Sequence, residues 1–278
     1  MTEALPPAPH IEPSAEALPP LPQISPSADA LPPLPQIGPV TRRPPPGGPR
    51  REWVTSTVVA IRSQTPRMRS YRLRLPTPLL HVPGQHVTVR LTAPDGYAAT
   101  RSYSIASAPG DGTEIELMVE RLADGEVSTY LHDELRVGDP LEVRGPFGGW
   151  FVWNGRGPVL LVGGGSGVVP LVSMLRHWRA TASPVTLRLV VGVRSPDDLP
   201  FADEYGDETT VLYSRRPPPG AARPPGRLTA TDLLPLLVPD ATAYVCGSSG
   251  FAEHASQLLV ELGVPAGSVR VERYGATA

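Results

Sequence analysis

Residues 159–176 read VLLVGGGSGVVPLVSMLR. An uninterrupted apolar run passes into Gly163, Gly164, Gly165, Ser166 and Gly167, then into a second apolar stretch with Pro170 near its start. Such a run reads as a strand buried on both faces, as in a parallel sheet covered by helices. Glycines let the chain turn tightly and bring backbone amides close to a ligand. The helix that follows points its first N–H groups into the same turn. Pro170 suits the first helical turn, where its missing donor is not needed. The order strand, glycine turn, helix predicts a β–α unit with a phosphate or pyrophosphate seated at the turn. A tight turn without a ligand is the alternative. Pro170 stands where the third glycine of G-x-G-x-x-G would be, and no lysine follows the glycines, which excludes a Walker loop.

The residues that follow keep the same rhythm. PVTLRLVVGV, TTVLYS, ATAYVCG and SVRVERYG read as strands, and PLVSMLRHWRAT, TATDLLPLL and FAEHASQLLVELG as helices. Strands alternating with helices predict a doubly wound parallel sheet, an α/β domain over residues 155–278. The second strand ends in Arg194 and Ser195, and the third in Ser214, Arg215 and Arg216. A site for NAD would often carry Asp or Glu at the second strand end, to hold ribose hydroxyls. A cationic end suits a 2′-phosphate instead, and one charged hydrogen bond contributes roughly 1.5–3 kcal/mol, about tenfold to a hundredfold in preference. The reading favours NADPH, with NADH as the other possibility. Ordinary solvated arginines are the competing explanation.

Residues 50–154 have a different texture. EWVTSTVVAIRSQ, MRSYRLRL, QHVTVRLTA, TRSYSIAS, TEIELMVERL and DPLEVRGPF are short, alternating and rich in β-branched residues, with turn signals between them. Strands at this spacing predict an antiparallel barrel or sandwich. One helix interrupts them, with Ser128 expected as its N-cap.

Residues 1–49 form a third region. The chain has 37 prolines, and the stretch repeats every thirteen residues as EALPPAPHIEPSA, EALPPLPQISPSA and DALPPLPQIGPVT. Proline fixes φ and removes donors, so a disordered tail with polyproline II character is expected. It reads as a spacer or as a docking ligand for an aromatic-lined groove.

Composition narrows the function classes. A net charge of −2 argues against a nucleic-acid-binding face. One cysteine, Cys246, leaves no partner for a disulfide and too few thiolates for an iron–sulfur cluster. The histidines show no ligand spacing, so no metal is expected. Neither a secretory signal nor an apolar stretch of about 18 residues is present, which reads as a cytoplasmic protein.

Taken in order, PGQHVTV, RSYSIAS, GEVSTYL, GDPLEVRGPFG, VGGGSGVVP, YVCGSSGF and VERYG resemble the blocks of the ferredoxin–NADP reductase superfamily. The resemblance covers about residues 51–278. It implies a flavin-binding antiparallel barrel followed by a nicotinamide-nucleotide domain, without a fused iron–sulfur domain. It implies FAD as cofactor. Arg101 would pair with the FAD pyrophosphate, Tyr103 would stack on the isoalloxazine, and Ser102 and Ser104 would complete that strand's contacts. Ser104 would offer its hydroxyl near the flavin N5. Alternation puts Arg101 and Tyr103 on one face of the strand. Gly125, with the amides of Val127, Ser128 and Thr129, would finish the pyrophosphate cradle.

The resemblance also places Cys246 beside the nicotinamide C4, with Gly247 giving the dinucleotide room. A lone Cys is otherwise a small buried hydrophobe. Glu272 would be the acidic partner near the flavin, relaying protons with Ser104, and Tyr274 would cover the second flavin face. The catalytic set expected is therefore Ser104, Cys246 and Glu272. The implied activity is that of an FAD-dependent NAD(P)H oxidoreductase passing electrons to a separate acceptor, a ferredoxin or other small redox protein. A non-catalytic electron-transfer subunit and a reductase of free flavin or another small molecule stay open.

Overall fold

A computed structural model describes residues 52–110 and 112–274. The proline-rich repeats, and Gly275–Ala278, lie outside the described residues. The alternating segments form six strands: β1 (Val54–Thr65), β2 (Met68–Arg74), β3 (His86–Thr92), β4 (Ala98–Ser104), β5 (Glu114–Glu120) and β6 (Pro140–Phe147). They pair antiparallel in the order β4-β3-β6-β1-β2-β5. A bridge between Ile105 and Leu117 brings the two edge strands together and closes the sheet on itself. Closure protects edges that would otherwise present unpaired N–H and C=O groups. Val58, Leu73, Val87, Val89 and Leu117 fill the interior, on the inward half of each alternation.

Helix α1 (Glu126–Asp133) lies between β5 and β6. It starts earlier than the sequence suggested. Its N-cap is Gly125, not Ser128. Ser128 sits in the first turn, where its hydroxyl donates to the Gly125 carbonyl at 3.0 Å and accepts the Leu122 amide at 3.2 Å. The hydroxyl therefore braces the turn from inside. The Thr129 amide also donates to Gly125, at 2.8 Å, so it is not free for a ligand.

The second sheet is fully parallel, in the order β11-β10-β7-β8-β9. Its strands are β7 (Val159–Gly164), β8 (Leu187–Val193), β9 (Thr209–Tyr213), β10 (Thr242–Ser248) and β11 (Val269–Tyr274). Helix α2 (Val169–Ala180) covers one face, while α3 (Ala230–Leu233) and α4 (Ser249–Glu261) belong to the other. Leu161 of β7 packs with Leu171 and Leu175 of α2, whereas Leu160 and Val162 pack with Ala252 and Leu259 of α4. Burial on both sides is why this strand is a continuous apolar run. The chain reverses direction across the sheet between β7 and β10, and in open α/β sheets such a switch point opens a crevice at the carboxyl ends of the strands. Among the described residues no helix is long and apolar enough to cross a membrane.

Helix α2 also ties the two sheets together. Arg176 donates to Glu116 of β5 at 2.8 Å, to Glu204 at 2.5 Å and to the Ala106 carbonyl at 3.0 Å. Its side chain is 20% exposed. Removing one partner of such a cluster leaves the others partly buried and uncompensated. Arg176→Ala is expected to lower stability by about 2–3 kcal/mol, discounted for partial exposure, and thermal unfolding measures it. An unchanged melting temperature would show that the cluster contributes nothing net.

Candidate functional site

A cavity of about 1360 Å³ runs between the two sheets. That exceeds the few hundred to about 1,000 Å³ of a pocket for one drug-sized ligand. One wall is the end of β4. There Arg101 and Tyr103 face the same way, opposite Val89 and Val87 of β3 in register. Arg101 is exposed and its guanidinium donates to its own strand, to the Thr100 carbonyl at 2.7 Å. Ser102 and Ser104 also line the cavity, as do Gly125 and Ser128 at the start of α1. A Cβ on Gly125 would lie 2.3 Å from Ser128 Oγ, so a side chain here would displace that hydroxyl from its contacts with Leu122 and Gly125.

The facing wall is the glycine turn. Gly164, Gly165 and Ser166 line the cavity, and a 3₁₀ turn (Gly165–Val168) leads into α2. Gly165 has φ +55, a left-handed conformation that favours glycine. Gly163, Gly167 and Gly247 are not part of the cavity wall. Their smallness serves packing instead. A Cβ on Gly167 would meet Cys246 O at 2.4 Å, and one on Gly247 would meet the Phe251 ring at 2.7 Å. Phe251, which the sequence reading did not single out, also closes on Gly164 and Gly192, so its ring spans three strand ends.

Arg194 and Ser214 reach the cavity from the ends of β8 and β9, but Arg215 does not line it. Ser214 Oγ donates back to the Val193 carbonyl at 3.1 Å. Two further charges sit here. Asp198 accepts the buried Ser195 hydroxyl at 2.7 Å. Arg227 is carried by a loop that Arg223 organises, through Asp232 at 2.6 Å and the carbonyls of Pro224, Gly226 and Arg227. No local pattern marks Arg227, because it reaches the site only through that network.

The third group sits at the sheet switch point. Parallel pairing sets Cys246 of β10 beside Glu272 of β11, and Ser248 beside Tyr274. The Ser104 hydroxyl, from the other sheet, lies 2.7 Å from the Tyr274 hydroxyl. Cys246 is 0% exposed and does not line the cavity, whereas Tyr274 does. Burial, reinforced by the Glu272 charge, pushes the Cys246 thiol well up, so it is not a thiolate nucleophile. Burial likewise raises the Glu272 carboxyl from 4.5 to about 7, and its Oε2 has no hydrogen-bond partner among the described residues.

That shift has a definite sign. Between pH 4.5 and 7 the folded chain holds a proton on Glu272 that the unfolded chain has released. The contribution to stability is complete below about 4.5, falls as pH rises, and is gone above about 7. Glu272→Gln should therefore gain about 2 kcal/mol on wild type between pH 5 and pH 8, read from melting curves at both. A constant difference would mean the carboxyl is not perturbed.

Comparison with known proteins matches residues 56–152 to the oxidoreductase FAD-binding domain and residues 161–257 to the oxidoreductase NAD-binding domain. Two curated relatives are similar along most of the described chain. The ferredoxin–NAD(P)(+) reductase component of the naphthalene 1,2-dioxygenase/salicylate 5-hydroxylase systems of a Ralstonia species is 32% identical over 80% of this chain and 69% of its own length. The glycine betaine monooxygenase reductase subunit of Chromohalobacter salexigens is 33% identical over 79% of this chain and 63% of its own length. Among solved structures, the flavohem-like FAD/NAD-binding domain of nitric oxide dioxygenase from Vibrio cholerae superposes with a TM-score of 0.72. It is 25% identical, and the match covers 80% of this chain and 99% of that one.

Proposed function

The chain belongs to the ferredoxin–NADP reductase superfamily of FAD- and NAD(P)-dependent oxidoreductases, and from that premise we propose that it takes reducing equivalents from NADPH and delivers them through FAD to a separate small redox protein. The observation that carries this reading is the single cavity that joins an arginine–aromatic strand to a glycine turn across two sheets. The division into a flavin half, 50–154, and a nucleotide half, 155–278, belongs to the same proposal.

The residues present fit both groups. Arg101 and the start of α1, where Gly125 and Ser128 line the cavity and Val127 is buried off it, suit one pyrophosphate, and the amides of the glycine turn suit the other. Tyr103 supplies an aromatic face. Bound there, the flavin would supply the hydride and electron chemistry. The chain's own residues orient and shield. Ser104 and Tyr274 share a hydrogen bond at the point where the two sheets meet. Cys246 is a small, neutral core residue packed with Tyr274. Glu272 lies beside Cys246 in the sheet and off the cavity wall, with a carboxyl whose pKa burial pushes up to about 7.

Arg194 and Arg227 support a 2′-phosphate at the far end of the cavity, while Asp198 suits ribose hydroxyls. The one cysteine in this sequence supplies too few thiolates for an iron–sulfur cluster, which supports a separate acceptor with its own redox centre. The relatives' printed roles as reductase components and subunits make a ferredoxin or an oxygenase component the acceptor class.

An anaerobic titration of the purified flavoprotein with NADPH and with NADH tests this. Bleaching of the flavin absorbance, earlier with NADPH, is the expected result. A chain that takes up no flavin would overturn the proposal, and an NADH preference would overturn its nucleotide assignment.

A further inference from the structure

The glycine turn sits against a carboxylate supplied by the chain itself. Ser166 is the only polar side chain among residues 163–169. Its hydroxyl donates to Glu120 Oε2 at 2.7 Å. The other oxygen of that carboxylate, Oε1, takes Arg67 Nη2 at 3.0 Å. Glu120 closes β5, and Arg67 lies in the turn between β1 and β2, so both belong to the antiparallel sheet while Ser166 belongs to the parallel one. All three residues line the cavity, and the Glu120 side chain is 20% exposed.

This places a negative charge against the turn that the proposed function assigns to nucleotide phosphate. The first amides of a helix attract an anion, and Glu120 satisfies part of that attraction. A dianionic pyrophosphate arriving at the same turn meets a like charge, neutralised on one side by Arg67. We propose that Glu120 competes with the nucleotide phosphate for the glycine turn. The phosphate takes the Ser166 hydroxyl from the carboxylate, and Arg67 turns from the carboxylate toward the phosphate. Glu120 is thus a positioning residue that holds nucleotide affinity down and speeds release of the oxidised nucleotide.

The inference rests on reading the turn as a nicotinamide-nucleotide seat. It is opposed to a simpler role in which Glu120 is only a strut between the sheets. The two differ in sign. Loosening a strut weakens nucleotide binding, whereas removing a competing charge strengthens it.

Calorimetric titration of the flavin-loaded full chain with NADP⁺ and with NAD⁺ decides between them. Glu120→Gln keeps the shape and removes the charge. It should bind nucleotide about three- to tenfold more tightly, the scale expected for one partly screened charge at close range. In turnover, KM for the reduced nucleotide should fall and inhibition by the oxidised nucleotide should strengthen, without a rise in kcat. Glu120→Asp keeps the charge and should stay within about twofold of wild type. Arg67→Ala leaves the carboxylate unneutralised and should weaken binding by about threefold or more. Unchanged or weaker binding by Glu120→Gln would overturn the proposal. If that variant loses its flavin, Arg67→Ala decides alone, and an unaltered affinity overturns it. A wild-type chain that binds neither nucleotide would instead overturn the reading of the turn, and the inference with it.

Discussion

Gly167→Ala should slow flavin reduction by NADPH about a hundredfold while leaving flavin on the protein. The argument is steric. A Cβ at this position would lie 2.4 Å from Cys246 O, 2.6 Å from Cys246 C and 2.6 Å from Gly247 Cα. All three are backbone atoms of β10, so no rotamer can relieve the contact. The glycine turn and the end of β10 must separate by half an ångström or more. The glycine turn is the proposed phosphate seat, and β10 carries Cys246, which the resemblance sets beside the nicotinamide. Overpacking of this kind costs about 1–3 kcal/mol in stability. A displacement of about 1 Å between reacting groups can cost about a hundredfold in rate. The antiparallel sheet and its cavity wall at β4 lie outside the clash, so flavin content is expected to hold. Stopped-flow reduction at the flavin absorbance, under anaerobic conditions, measures the effect. A rate within threefold of wild type would mean that the contact yields without moving the site.

Arg101→Ala is expected to raise the dissociation constant for FAD about tenfold to a hundredfold, the loss of one charge-assisted hydrogen-bonding group worth roughly 1.5–3 kcal/mol. Arg101 forms no ion pair among the described residues, and its hydrogen bond is to a carbonyl of its own strand. Redirecting the guanidinium to a phosphate therefore breaks little. Truncation should leave the barrel intact, because the side chain is exposed. Arg101→Lys should recover part of the affinity, since it keeps the charge and loses the planar fork. Flavin content after purification and a fluorescence titration of the stripped protein with FAD give the comparison. A fully loaded Arg101→Ala variant would move the pyrophosphate to another cation.

The contrast between legible and illegible parts follows sequence distance. The six alternating strands were readable because period-two patterning records which face is buried, residue by residue. The run before Gly163 was readable because burial on both faces leaves no polar position. The α1 boundary was misread by three residues. Ser128 is a good cap in isolation, but here its hydroxyl is engaged with Leu122 and Gly125. Arg215 sits beside a strand end but off the cavity wall, which Arg194 lines. Arg227 also lines the cavity, because the Arg223–Asp232 pair folds a proline-rich loop back toward it.

The amino-acid sequence alone determined the element types, their order and the chemistry available: an arginine–tyrosine strand, a glycine turn, one cysteine and a late glutamate. These are local properties, fixed by which residues neighbour one another along the chain. Only the tertiary structure decided the pairings. Ser104 meets Tyr274 across 170 positions, and Ser166 meets Glu120 across 46. It also decided that Cys246 is buried away from the cavity and that burial pushes the Glu272 carboxyl up to about 7. Hydrogen-bond partners and desolvation depend on what the closed barrel and the covered sheet bring together, and that information resides in packing, where sequence separation no longer measures distance.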